Sequence, residues 1–209
     1  MTNPYFYLLV GMIACFIGTI PFGPINLTVV KTTVDHNRLR GTEVALAASL
    51  IEILQALIAI SFGMVISSYL ESNVVIKIIL ALVFIVLAVF IYIRESQPAF
   101  SAADIQQESF FKKGLLIAVF NPQAVPFWIF ALATISQYFD FEYVGVYLAC
   151  FLLGVFAGKL IALYGFVIAS DYLKSHLQKS SKMVNRLLAG ILLLIGLSQG
   201  LSAITKFTS

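Results

Sequence analysis

The chain alternates long apolar runs with short polar segments, and this pattern predicts its secondary structure. Six runs each reach or approach the ~20 residues that an α-helix needs to cross a ~30 Å hydrocarbon core. The longest polar segment, 94–113, is interpreted as a surface loop. The pattern therefore predicts an all-α protein with six transmembrane helices. The apolar runs are roughly 5–30, 44–66, 74–93, 114–138, 143–169 and 183–204.

Composition agrees with a protein that resides in a lipid bilayer. Of the 209 residues, 60% are hydrophobic and 11% are charged, and the mean hydropathy is +0.98. A soluble domain is about half apolar and about a quarter charged. We therefore expect one integral membrane domain over 1–209, with halves of about 1–94 and 113–209 joined by a cytoplasmic loop at 95–112. No basic residue precedes Lys31, which predicts a permanent first helix rather than a cleaved signal peptide.

Basic residues lie mainly on one side of the predicted bundle. Ten of the thirteen lysines and arginines fall in the segments after the first, third and fifth runs, whereas Lys77 and Lys206 lie on the other side. The positive-inside rule places the basic segments in the cytoplasm and both termini outside it. The net charge of +3 then reflects topology and needs no nucleic-acid partner. The ten residues are Lys31, Arg38, Arg40, Arg94, Lys112, Lys113, Lys174, Lys179, Lys182 and Arg186.

Two of the six runs contain helix-breaking residues at corresponding positions. The first run contains IPFGPIN at 20–26, and the fourth contains FNPQAVPFW at 120–128. Unwound backbone is tolerated at membrane depth where it lines a cavity, and paired broken helices mark the binding sites of many transporters. A plain proline kink is the alternative. The first run of each three-helix half is the interrupted one, which predicts a 3+3 inverted repeat. The candidate substrate-binding residues are Pro21, Gly23, Pro24, Asn26, Asn121, Pro122, Gln123 and Pro126.

Two charged residues lie well inside apolar runs, where most charged side chains cost about 2.5–3.5 kcal/mol. Glu52 belongs to a stripe of small and polar residues at helical spacing along the second run. Lys159 lies beside a stripe of small residues along the fifth run. Such faces turn towards neighbouring helices. Counted from the cytoplasmic ends, both charges and both interruptions lie roughly 10–18 Å deep. We identify Glu52 and Lys159 as proton-coupling candidates, and a purely structural ion pair is the alternative.

The two interrupted segments also resemble known sequence motifs. The chain is similar throughout its length to the LysE/RhtB superfamily of bacterial amino-acid exporters, which has a Pro-Gly-Pro-like motif in its first helix and an Asn-Pro-Lys-like motif in its fourth. Phe22-Gly23-Pro24 and Asn121-Pro122-Gln123 occupy these positions. Phe22 replaces the first proline, and Gln123 replaces the lysine and removes a charge. The resemblance implies export of a small amino acid or similar metabolite, driven by the proton gradient.

These observations together predict an exporter of a small zwitterionic solute in the bacterial inner membrane, with no cofactor, no bound metal and no enzymatic activity. A cation or metal exporter and a membrane thiol–disulfide carrier of the same superfamily are the alternatives. The cysteines, Cys15 and Cys150, form no CxxC pair and are interpreted as packing residues. The expected partners are the lipid bilayer and the substrate, and the sequence leaves open a homodimer.

Overall fold

The computed structural model describes residues 3–21, 23–70, 109–121 and 124–173, together with single positions between 75 and 93 and between 186 and 197. Helices make up most of these ranges, and no strand occurs among the described residues. The helices with described bounds are α1 Pro4–Thr19, α2 Pro24–Asp35, α3 Arg38–Leu70, α4 Phe110–Val119, α5 Ala124–Tyr138, α6 Gly145–Ile168 and α7 Ser170–Leu173.

The longest of these helices are suited to a bilayer. Within the described residues, Arg38–Gly63 of α3 and Gly145–Ile168 of α6 are long and apolar enough to cross a membrane. The bent pair of α1 and α2 would form a third span. The predicted runs at 74–93 and 183–204 lie mostly outside the described residues, so the count of six spans stays a prediction. For the described residues, the prediction of an all-helical protein with helices of membrane-spanning length is confirmed.

The first apolar run is interrupted, as its prolines and glycine predict. α1 ends at Thr19, and α2 begins at Pro24 after a bend of 74°. Gly23 is the N-cap residue of α2, and Pro24 occupies its first turn, where the missing proline N–H costs no helical hydrogen bond. The helix therefore resumes before Asn26, and the unwound segment is shorter than the predicted 21–26.

The fourth apolar run is likewise divided into two helices. α4 ends at Val119 and α5 begins at Ala124, so Pro126 lies within the first turn of α5 rather than in unwound backbone. Pro122 and Gln123 lie outside the described residues. α4 begins at Phe110, near the end of the segment 95–112, whose assignment as a cytoplasmic loop stays a prediction. The ring of Phe110 packs 4.7 Å from that of His36 and lies 5.4 Å below the Arg40 guanidinium, which fixes the start of α4 against α2 and α3.

Helix packing in this fold depends on residues without bulky side chains. α1 packs chiefly against α6, and α4 packs chiefly against α3. A Cβ built at Gly154 or Gly158 would overlap the backbone of α1, at the carbonyls of Leu8 and Met12 respectively. In the same way, a Cβ at Gly114 of α4 would lie 2.9 Å from the backbone of Val44 on α3. The predicted small-residue stripe of the fifth run thus forms a close helix contact.

The orientation of α3 places its polar stripe inside the bundle. Most of the predicted small and polar face is buried, Gly63 being exposed, and large apolar side chains cover the opposite face. Glu52 therefore points away from lipid, as predicted. The exposed apolar residues of α3 include Leu46, Leu50, Leu54, Ile58 and Phe62, which recur every four residues.

Candidate functional site

The two intramembrane charges meet in the centre of the bundle. Lys159 Nζ of α6 lies 2.8 Å from Glu52 Oε2 of α3, and their side chains are only 9% and 4% exposed. A buried ion pair offsets the cost of removing both charges from water only when its geometry is good, and loss of one partner typically costs 3–5 kcal/mol. Sequence analysis found both residues, and the structure shows that they form one group.

A third side chain completes this group. The indole N–H of Trp128 on α5 donates to Glu52 Oε1 at 2.8 Å, so the two carboxylate oxygens have partners on two different helices. Trp128 is fully buried, and a buried indole generally requires a hydrogen-bond acceptor. We refer to Glu52, Lys159 and Trp128 as the charge cluster. Its members come from α3, α6 and the helix that follows the second interruption.

A side-chain amide donates hydrogen bonds to the backbone carbonyls at the first interruption. Asn26 Nδ2 donates to the carbonyl oxygens of Thr19 at 2.6 Å and Pro21 at 3.0 Å. Both carbonyls lie at the point where α1 ends, and a backbone oxygen without a donor is costly in a membrane. Asn26 is a buried residue of α2, so its amide group stabilises the bend from the interior of the helix bundle.

A second side-chain amide donates to a backbone carbonyl at the second interruption. Gln55 Nε2 of α3 donates to the carbonyl oxygen of Ala118 at 2.8 Å, in the last turn of α4. The backbone N–H of Asn121 donates to the same oxygen at 3.1 Å. Gln55 lies three residues beyond Glu52 on one helix, so α3 supplies both the acid of the charge cluster and a donor for the second interruption.

A model of the LysE type translocator family matches residues 16–202, which include both interruptions and the charge cluster. The chain belongs to the LysE type translocator family. A search of curated proteins and a search of solved structures each found no match. Membership confirms the resemblance to the LysE/RhtB superfamily and makes this chain a membrane translocator of small molecules.

The predicted site residues of the LysE type translocator that the structure describes lie at or beside the two interruptions. Pro21 and Gly23 lie in the first interruption, and Asn121 lies half-buried at the second. Pro24, Asn26 and Pro126 belong to helices. The last turn of α1, before the first interruption, contacts the first turn of α5, after the second. At Gly18 of α1, a Cβ would overlap the ring of Phe127 on α5.

Sequence analysis of the LysE type translocator missed Trp128 and Gln55 as members of the site. Trp128 is the chain's single tryptophan and directly follows the second motif, which was the available signal. Cys15 was correctly interpreted as a packing residue, since it is buried among Tyr7, Trp128 and Val155. The described part of the chain has no group of three or more His, Cys, Asp or Glu residues that could hold a metal ion.

Proposed function

We propose that this translocator is a secondary-active exporter of an amino acid or similar small zwitterionic metabolite, coupled to the proton gradient across the bacterial inner membrane. The observation that carries the proposal is the charge cluster. In a family of membrane translocators, it places a buried acid and a buried base between two interrupted helices. Intramembrane charges of this kind typically mark substrate or proton pathways.

The partners of Glu52 connect its charge to two neighbouring helices. Its ionised form receives one ion pair and one hydrogen bond, and both donors come from helices other than its own. A neutral acid would keep the shape of the side chain but lose the attraction to Lys159. Protonation therefore changes the forces between α3 and α6 without adding or removing a bulky group, which is what coupling to helix movement requires.

The interruptions provide the proposed substrate-binding groups. No side chain caps the first turn of α2 at Gly23, and a helix N-terminus attracts a carboxylate through its unpaired N–H groups and its dipole. The Pro21 carbonyl oxygen accepts one bond from Asn26 and has a second lone pair that suits the ammonium group, and backbone around Asn121 is proposed to act in the same way. Pro24, Asn26 and Pro126 are then helical residues that border the proposed substrate site. Pro122 and Gln123 are proposed to complete the site at the second interruption.

Helix packing supports the proposed 3+3 inverted repeat. α1 packs on α6 of the second half, and α4, its counterpart, packs on α3 of the first half. Glu52 lies 14 residues after Arg38, which begins α3, and Lys159 lies 14 residues after Gly145, which begins α6. If α3 and α6 are counterparts in the proposed repeat, the ion pair joins matching positions of the two helices, which is consistent with a pseudo-twofold axis between the halves.

Transport by the purified protein in liposomes tests the proposal. A panel of amino acids is supplied with and without an imposed pH gradient, and at least one should move against its own gradient when the pH gradient is present. Glu52→Gln should abolish this gradient-driven movement but retain exchange of labelled for unlabelled substrate. Exchange requires substrate binding but no net proton movement.

A charge swap separates coupling from structure. Glu52→Lys together with Lys159→Glu restores opposite charges, so a purely structural pair would recover full transport. We expect the swapped protein to fold but not to transport against a gradient, because the acid then lies on the wrong helix. Full gradient-driven export by Glu52→Gln or by the swapped protein would contradict proton coupling through Glu52.

A further inference from the structure

Trp128 contacts the proposed proton carrier, Glu52, directly. Its indole N–H donates to Glu52 Oε1, and Lys159 occupies the other oxygen. We propose that Trp128 is a positioning residue for export, which aims the carboxylate of Glu52 and links its charge to the interrupted helix α5. The inference rests on the proposed proton role of Glu52.

The indole ring is held firmly enough to direct its single donor. Trp128 is fully buried, with the ring of Phe151 from α6 at 5.9 Å and that of Phe127 at 5.2 Å, both in edge-to-face arrangements. Such contacts fix the plane of the ring. The N–H direction is therefore set by packing, and Glu52 adopts the position that this donor and Lys159 together define.

The position of Trp128 connects the carboxylate to both interruptions. α5 begins at Ala124, immediately after the second interruption, so Trp128 lies at the start of its second turn. The preceding residue, Phe127, packs where a Cβ of Gly18 would lie, in the last turn of α1 before the first interruption. A change in the bond between Glu52 and Trp128 therefore acts on the segment of α5 that contacts α1.

The strength of that bond depends on the charge of Glu52. A hydrogen bond to an ionised carboxylate is roughly twice as strong as one between neutral groups. Proton uptake by Glu52 therefore weakens the hydrogen bond between Glu52 of α3 and Trp128 of α5. It also removes the ion pair between Glu52 and Lys159 of α6. Loss of the indole donor alone removes one of the two partners that hold the carboxylate of Glu52.

The other ionisable groups near Glu52 are limited in the described ranges. Lys159 faces it from α6, and the buried thiol of Cys15 faces it from α1 within electrostatic range. Lys113 of α4 is next to Gly114, which meets α3 at Val44, about two turns away from Glu52. The charged residues of α2 lie in its second half, close to the start of α3: Lys31 and Asp35.

The fluorescence of Trp128 provides the first test, since it is the only tryptophan in the chain. We expect the emission of the purified full-length protein to change with pH at the same midpoint as its export activity. The change should be absent in Glu52→Gln, which retains the indole. A pH-independent emission from wild-type protein whose export is pH-dependent and lost in Glu52→Gln would overturn the role of Trp128 and leave the proposed function standing.

Removal of the donor provides the second test. In Trp128→Phe, the pH midpoint of export should shift away from that of the wild type, because Glu52 loses one of its two hydrogen-bonding partners. A tryptophan analogue with sulfur in place of the indole N–H isolates the donor from ring size, because a single-tryptophan chain incorporates it at this position alone. The same shift is expected there, even if Trp128→Phe folds poorly.

The outcomes of the two tests separate the two proposals. An unchanged pH midpoint with the sulfur analogue would refute the positioning role while Glu52 remains the proton carrier. Export that is insensitive to Glu52→Gln would instead refute the proposed function, and the role of Trp128 with it. A merely structural tryptophan would lower the amount of folded protein but leave the midpoint unchanged.

Discussion

Gly158→Ala should destabilise the protein by forcing α1 away from α6. A Cβ at this position would overlap the carbonyl oxygen of Met12 and lie 3.0 Å from its carbonyl carbon. These are backbone atoms, so no rotamer change can relieve the contact and the two helices must separate. Lys159 is the next residue on α6, and the separation should also disturb its contact with Glu52.

The same helix provides a matched control at Gly165. Among the described residues, no atom lies within 4 Å of a Cβ built there. Alanine is favoured over glycine in a helix by about 0.8–1.0 kcal/mol, and this preference applies to both variants. Their difference in stability therefore isolates the packing cost at Gly158, which should be about 1–3 kcal/mol for an overfilled interior.

Reversible unfolding in mixed detergent micelles, followed by the fluorescence of Trp128, measures this difference. We expect Gly165→Ala to be as stable as the wild type or slightly more stable, and Gly158→Ala to be clearly less stable and to export more slowly. Equal stability of the two variants would show that the backbones of α1 and α6 are not in direct contact, and the reasoning from the small-residue stripe would fail.

Two further predictions concern the first interruption and the orientation of the chain. Asn26→Leu, which leaves the carbonyls of Thr19 and Pro21 without their donor, should cost about 1–2 kcal/mol. Thr28→Val, which loses one bond within α2, should cost less, and equal losses in an unfolding assay would contradict the capping role of Asn26. A reporter fused after Ser209 should be active only if it functions outside the cytoplasm, and activity of a cytoplasmic reporter would reverse the proposed orientation.

The class of protein and the positions of the helix breaks can be predicted from the order of residues alone. Apolar runs of membrane-spanning length follow from composition, and Pro21, Gly23 and Pro24 interrupt the first run through their own backbone chemistry. The small residues beside Lys159 predicted a close helix contact, because only short side chains allow backbones to approach. All of these are local properties, which neighbouring residues in the chain specify.

Which of these residues contact one another follows from the way the helices pack. Glu52 and Lys159 were each expected to face the interior, but their pairing depends on how α3 and α6 are rotated and how far they are shifted along each other. The same holds for Trp128 and Gln55, whose partners lie on other helices. Helix periodicity identifies an inward face but not the atom opposite it. The partner of each inward-facing side chain is set by helix packing, because the hydrocarbon core of the bilayer offers no hydrogen-bond partners to buried donors and acceptors.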